Sequence, residues 1–321
     1  TMKQRGSIRF LCLSTIVAAG IASVGSPAAL AAGFEMGPQG MHAVGRGGAF
    51  VVKADDPSAL FWNPSRLALS RGTHLLFNDT ISMQNVSFQR LPAQKLNLQG
   101  NPTGDPIPFG LVSEQDKVFA LGMSVAVTTD FGLDDWGFGF GFSGPAAYGK
   151  GSVNTDTTSA LRYSYQDHDV LLASVYTGAA WKYKEWFGIG TSLMFGMLPN
   201  MKYSLTVIGP AGPVIQNNPV STVNDLQIAL DMKDWFTFSA VVGAWGRPLP
   251  CLELAVSAQI LPINVVADGD IRISGTPNSI YKSMDPYKVD GRVEYQFPMK
   301  VLAGARYLHV SRGREVFDIE A

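Results

Sequence analysis

The feature that most constrains this chain is a period of two. From Val118 to Thr128 the odd positions hold Phe119, Leu121, Met123, Val125 and Val127, with Ala120, Gly122, Ser124 and Ala126 between them. The pattern returns where Phe187, Ile189, Thr191, Leu193, Phe195 and Met197 interleave with Gly188, Gly190, Ser192, Met194 and Gly196. It returns again where Leu252, Leu254, Val256, Ala258 and Ile260 alternate with Glu253, Ala255, Ser257 and Gln259. Between 293 and 307, Val293, Tyr295, Phe297, Met299 and Val301 share one face, and Glu294, Gln296, Lys300 and Arg306 the other. Successive side chains of a strand point to opposite faces, so each segment has one bulky apolar face and one small or polar face. The chain is all-β.

A soluble sandwich alternates too, with its apolar face turned inward. Two features favour a closed barrel in a membrane. The stretches run to about ten residues or more, long for soluble strands and suited to a tilted crossing of the hydrocarbon. Aromatics also gather at strand ends as interfacial girdles do, at Trp181, Tyr183 and Trp186, at Trp235 and Phe236, and at Trp245. Charged residues make up only 16% of the chain, below the soluble average. Past residue 32 no apolar run is long enough for a membrane-spanning helix, which leaves the barrel.

Short links are expected near Asp116, Lys184, Leu249 and Arg312, with longer Gly-, Pro- and Asn-rich loops at 131–160, 203–224 and 265–288. Short turns at one end and long loops at the other describe an up-and-down antiparallel barrel. The strands predicted are 73–89, 106–115, 117–130, 161–183, 186–204, 225–247, 251–273, 289–311 and 315 onward, about nine. A barrel must close to leave no unpaired edge in lipid, so residues 73–321 are expected to be an incomplete barrel that continues past Ala321.

The first 32 residues read as a cleaved secretory signal. Lys3, Arg5 and Arg9 precede an apolar stretch from Phe10 to Ala22, and Ala29-Leu30-Ala31-Ala32 offers a cleavage site. Loss of those three positive charges takes the formal net charge from −1 to −4, with no basic stripe for a nucleic acid. Cys12 leaves with the signal, so Cys251 is expected to have no intrachain partner.

Residues 33–72 do not alternate. They carry Gly45-Arg46-Gly47-Gly48-Ala49, Ala54-Asp55-Asp56-Pro57-Ser58-Ala59 and Trp62-Asn63-Pro64, rich in turn formers. The glycines lack the G-x-G-x-x-G spacing of a dinucleotide loop. A start at Gly33-Phe34, the Gly-Arg-Gly-Gly-Ala and Asp-Asp-Pro-Ser-Ala stretches, and Asn63-Pro64-Ser65 before the first strand together resemble the N-terminus of the FadL/TodX family. The family's Asn-Pro-Ala here ends in Ser65. Phe238 to Trp245 leading to Leu254-Ala255-Val256-Ser257, and Tyr295-Gln296-Phe297-Pro298, are similar to later family segments.

That resemblance implies a fourteen-stranded outer-membrane barrel with residues 33–72 folded into its lumen as a plug. It would carry hydrophobic compounds, such as long-chain fatty acids or hydrocarbons, to a pocket between plug and wall and release them through a gap in the wall. The partners implied are a hydrophobic small molecule and outer-membrane lipid and lipopolysaccharide, for a monomer. A general diffusion porin is the alternative.

Candidate site residues follow. Phe34 matches the aromatic beside the family's ligand pocket. Gly45, Arg46 and Gly48 belong to the plug, where the glycines serve turns, and Asn63 and Pro64 shape the passage to the first strand. Asp130, Phe131 and Gly132 stand where the family's wall is kinked, a glycine being a common site of a bend. Lys300 and Arg306 fall on the inner face by parity and could hold a carboxylate. Phe138, Phe140 and Phe142 alternate with glycines in the 131–160 loop, as an apolar outer landing patch. His42, His74, His168 and His309 are scattered without zinc spacing, and no G-x-S-x-G elbow occurs. No enzyme activity, metal or cofactor is expected.

Overall fold

The structure is a computed structural model that describes residues 40–97, 101–144, 150–152, 162–163, 165–210, 221–311 and 314–321. The proposed signal and Phe34 lie outside the described residues. The N-terminal segment forms two short α-helices, α1 (Met41–Gly45) and α2 (Ala59–Trp62), and a 3-10 helix, η1 (Pro64–Leu69). Strands follow: β1 (Thr73–Phe88), β2 (Ala93–Leu96), β3 (Pro102–Ile107), β4 (Val112–Thr129), β5 (Trp136–Ser143), β6 (Lys150–Ser152) and β7 (Tyr165–Tyr183). Then come β8 (Phe187–Ile208), β9 (Asp225–Leu249), β10 (Leu252–Leu261), β11 (Asn264–Gly275), β12 (Tyr287–Gln296), β13 (Val301–Ser311) and β14 (Arg314–Glu320).

The wall is a single antiparallel sheet whose path runs β1-β4-β5-β7-β8-β9-β10-β13-β14. The path has nine strands, the number expected but not the same nine, since the expected strand 106–115 is absent from it and β5 is added; the sheet is open between β1 and β14. Short turns at 130–135, 184–186 and 250–251 lie at one end, called lower here. The links 89–111 and 276–286 lie at the upper end.

The links differ from expectation in two places. Asp116 reverses nothing, because β4 continues through it, with a register shift against β1 between Val118 and Glu114. The stretch 102–107 pairs instead with β2 as a separate hairpin in the first upper link. And Phe138, Phe140 and Phe142 are not in an outer loop. They sit in β5, bonded to β4 on one side and β7 on the other. Eight residues of alternating Phe and Gly are short enough to be mistaken for a loop, since glycine weakens the strand signal. Cys251, expected to stand alone, is disulfide-bonded; the sequence's other cysteine, Cys12, lies outside the described residues.

The sheet is inside-out relative to a soluble one. Leu75, Phe77, Ile189, Leu254, Val256 and Val301 are exposed on its outer face, while Ser124, Thr128, Ser174, Ser192, Ser239 and Ser257 are buried on its inner face. Trp136, Tyr183 and Trp186 are exposed near the lower turns, and Trp235 and Phe236 higher up. Trp245 departs from the girdle expected of it. Its ring is buried on the inner face against Gly188, where a methyl group would meet Nε1.

Above this zone the polarity changes. On β11 and β12 the outer face carries Asp268, Asp270, Lys288 and Arg292 in cross-strand ion pairs, and the buried face carries Val265 and Ala267, with Val293 and Tyr295 packed against them. Pro199, Pro262 and Pro298 stand at or beside the interruptions in β8, between β10 and β11, and between β12 and β13. Proline has no N–H for the ladder, so breaks are where it is tolerated.

Candidate functional site

The N-terminal segment lies against the inner face, and the local sequence explains its shape. Asn63 caps η1, with Oδ1 accepting from Ser65 N at 3.2 Å and from Ser65 Oγ at 2.6 Å while Nδ2 donates to Val51 O at 2.8 Å. Pro64 supplies the first helical position, where a missing N–H costs nothing. Both residues are buried at the base of the segment, at the approach to β1. Gly48 takes φ +89°, a left-handed conformation open to glycine, and Gly45 ends α1.

Glycine on the wall makes room for the segment. A methyl group on Gly137 would sit 2.1 Å from Leu67 O, and one on Gly190 would sit 2.6 Å from Pro64 O. At Gly178 it would meet Leu60 Cδ1 at 2.7 Å, and at Gly243 it would meet Asn63 Oδ1 at 2.1 Å. These glycines form a seat across β5, β7, β8 and β9. The glycines of β5 face the segment, and its phenylalanines, with Phe140 55% exposed, face away.

Charge holds the opposite side. Glu253 is fully buried and receives Arg247 Nε at 3.0 Å and Arg306 Nη1 at 3.0 Å, with Arg66 Nη2 3.6 Å away. Arg306 also donates to Asp318 at 2.5 Å and Glu315 at 2.6 Å. Arg46 reaches Asp318 at 3.0 Å and Glu320 at 3.3 Å, and Glu320 accepts from the backbone N–H groups of Val52 and Lys53. Burial lowers the Arg66 pKa from the ordinary guanidinium value, against the opposing pull of Glu253. Its guanidinium lies 5.2 Å from the Trp245 ring centroid.

Arg306 therefore faces inward as parity suggested, but three carboxylates already engage it, which corrects its reading as a lumenal cation waiting for a ligand. Lys300 is exposed in the link between β12 and β13 and does not share that face as a strand residue. Its backbone carbonyl accepts from Gln259 N.

Above the segment lies an apolar cluster, with the polar Gln166 and His168 buried higher on β7. Val170, Leu172 and Tyr176 of β7 join Met194, Leu198 and Met201 of β8, Met232 of β9, Val265 of β11 and Phe297 in one buried cluster, with Phe61 of α2 packed against it. Sequence parity missed this lining because register shifts at Leu198 and Met201 carry inward positions from even to odd numbers. The signal present was the broken alternation at Met197-Leu198-Pro199.

Asp130, Phe131 and Gly132 do not kink the wall. They form the tight β4–β5 turn, with φ +49° at Phe131 and +77° at Gly132. Asp130 Oδ1 accepts from Gly132 N at 2.9 Å and Oδ2 from Gly72 N at 2.8 Å. Those two backbone donors, Gly72 first, hold its carboxyl below the ordinary aspartate pKa. Between β5 and β6 the middle strand advances seven residues, Ser143 to Lys150. Its neighbours advance five, Ser124 to Phe119 on β4 and Ser174 to Asp169 on β7. Residues 145–149 lie outside the described residues.

A FadL homologue from Pseudomonas aeruginosa matches this architecture with a TM-score of 0.62, over 90% of this chain and 74% of its own, at 14% identity. The chain has the FadL fold. The monoaromatic hydrocarbon channel CymD matches with a TM-score of 0.55 at 12% identity, over 85% of this chain and 66% of its own. The Pseudomonas putida toluene transporter TodX matches at 0.52 and 13%, over 80% and 65%. This chain thus spans about two thirds to three quarters of the length of these FadL-fold proteins. No protein-family model and no curated protein matches the sequence. No helix among the described residues is long and apolar enough to cross a membrane, which says nothing of strands.

Proposed function

We propose that the chain is a passive outer-membrane channel for hydrophobic small molecules, with residues 33–72 as its plug and 73–321 as barrel wall. The observation that carries this reading is the inside-out sheet with an apolar lumen above a seated plug. An outward apolar face belongs against lipid. Phe187 pairs with Gly246, and Phe236 lies ten residues higher on β9. At roughly 3.3 Å per residue and a tilt of about 45°, that gives a band of about 23 Å between aromatic rows, close to the height of an outer-membrane hydrocarbon belt.

Substrate would enter from the upper loops, rest against Tyr176, Met194 and Met232, and leave sideways through a gap in the wall. The FadL, CymD and TodX likenesses support a hydrophobic cargo, a long-chain fatty acid or a hydrocarbon. The engaged state of Arg306 favours cargo held by apolar contact over cargo held by its charge. Export by a cleaved signal, contact with lipopolysaccharide and a monomeric state belong to the same reading.

A general diffusion porin is the rival. It requires an open aqueous lumen, whereas Leu60, Asn63, Pro64 and Leu67 lie against the inner face of the lower wall here. The test is uptake by cells carrying the full-length protein in the outer membrane. Labelled oleate or toluene should enter faster than in cells without it, and sugars should not. Sugar entry without hydrophobe entry would overturn the proposal.

A further inference from the structure

One line across the inner face is polar where its neighbours on β7 and β8 are not. Asn78 of β1 pairs directly with Ser124 of β4, Ser124 with Ser143 of β5, and Ser143 with Ser174 of β7. Ser174 pairs with Gly196 of β8, and Gly196 with Thr237 of β9. All five side chains in that line are buried. Beneath it on β7 and β8 stand Tyr176 and Met194, and above it Leu172 and Leu198. At the β9 end two hydroxyl side chains converge. A methyl group on Gly196 would meet Ser174 Oγ at 3.3 Å and Thr237 Cγ2 at 2.6 Å, so both side chains lean over the glycine. Thr237 is only 2% exposed, and its Oγ1 has no hydrogen-bond partner among the described residues. Buried hydroxyls are ordinarily satisfied, so this one calls for a polar group from outside the chain.

We infer that Ser174 and Thr237, over Gly196, hold the head group of an amphiphilic cargo that carries one uncharged hydroxyl, a long-chain alcohol. The inference rests on the channel reading proposed above and names a class of cargo within it. A hydroxyl donates and accepts at once, which is what two facing hydroxyl side chains can engage. An anionic head is disfavoured here. Arg66 and Arg306 lie lower and already face carboxylates, and buried Asp234 stands three residues farther up β9, paired with Leu198. Leu60 and Phe61 lie against the wall just beneath the line. The alkyl tail therefore runs upward, past Leu172 and Leu198 to the directly paired Met201 and Met232. Methionine adapts its shape to an irregular apolar chain.

The experiment compares uptake of labelled 1-dodecanol and dodecane, equal in chain length, by cells carrying the full-length protein. Thr237→Val keeps the branched shape and removes the hydroxyl. It should lower the alcohol-to-alkane uptake ratio by about two- to tenfold, the worth of one hydrogen bond. Ser174→Ala should lower the ratio by a similar factor, and Thr237→Ser, which keeps a hydroxyl, should hold the wild-type ratio. An unchanged ratio in Thr237→Val and Ser174→Ala proteins that retain heat-modifiable gel mobility leaves those hydroxyls to water. That result overturns the inference, while continued dodecane uptake leaves the channel standing. Loss of the mobility in both variants assigns the hydroxyls to the fold and overturns it too. A wild type that takes up neither probe overturns the channel reading, and equilibrium binding then judges the site. Full-length protein in lipid nanodiscs should hold 1-dodecanol about two- to tenfold more tightly than its Thr237→Val variant does, and equal binding overturns the site.

Discussion

The N-terminal segment meets the wall on two sides that work by opposite means. On β5, β7, β8 and β9 the contact is made by what is missing, since Gly137, Gly178, Gly190 and Gly243 leave no side chain where Leu67, Leu60, Pro64 and Asn63 lie. On β10, β13 and β14 it is made by what is added, buried Arg66 and Arg306 and half-buried Arg46 against Glu253, Asp318 and Glu320. Close approach fixes position through shape and is insensitive to salt. Buried charge fixes position through partners, and its cost appears when one partner is removed.

The sharpest way to break that comparison is at Glu253, which three guanidinium groups face. Glu253→Gln should destabilise the protein by about 3–5 kcal/mol, because it leaves buried cations uncompensated; urea unfolding in detergent measures it. A cost near zero would mean that the ionic side contributes no attachment. Next comes the seat. Gly190→Val forces a branched side chain into the Pro64 and Ser65 backbone and should cost about 1–3 kcal/mol, with faster proteolysis of residues 40–72. If the segment stays protected, the seat is looser than its contacts indicate.

Arg46 is partly exposed and shares its carboxylates with Arg306 and the Val52 and Lys53 amides. Arg46→Ala should therefore cost only about 1 kcal/mol or less, and that cost should shrink in high salt, where the Gly190→Val cost does not. The smallest effect belongs to Asp130, at the junction of the segment, β1 and the first lower turn. Its pKa is depressed in the folded state, so its contribution is present above about pH 4 and fades as pH falls through the folded value. The stability difference between wild type and Asp130→Asn should accordingly be small at neutral pH and vanish in acid. A difference that grows in acid would contradict the Gly72 and Gly132 hydrogen bonds.

Much of the wall was legible in the residues because lipid-facing strands alternate strictly, and β8 and β10 do so without interruption below Met197 and through Ile260. The Asn63-Pro64-Ser65 turn was legible too, since a side-chain cap and a proline act over three residues. The site was harder to read. Phe138, Phe140 and Phe142 looked like a loop patch because the meaning of their glycine partners depends on Leu60 and Leu67, about seventy residues away in sequence. Arg306 looked available because the Glu253, Glu315 and Asp318 that hold it arrive from two other strands.

By itself, then, the chain determined its strand period and the non-alternating character of its N-terminal segment, since these follow from steric rules acting between near neighbours. Only the tertiary structure decided which face of each upper strand looks inward and which charges are already paired. Those depend on register shifts at single residues and on contacts between distant strands. A one-residue slip reverses every side chain beyond it, and no local pattern records how many slips have accumulated.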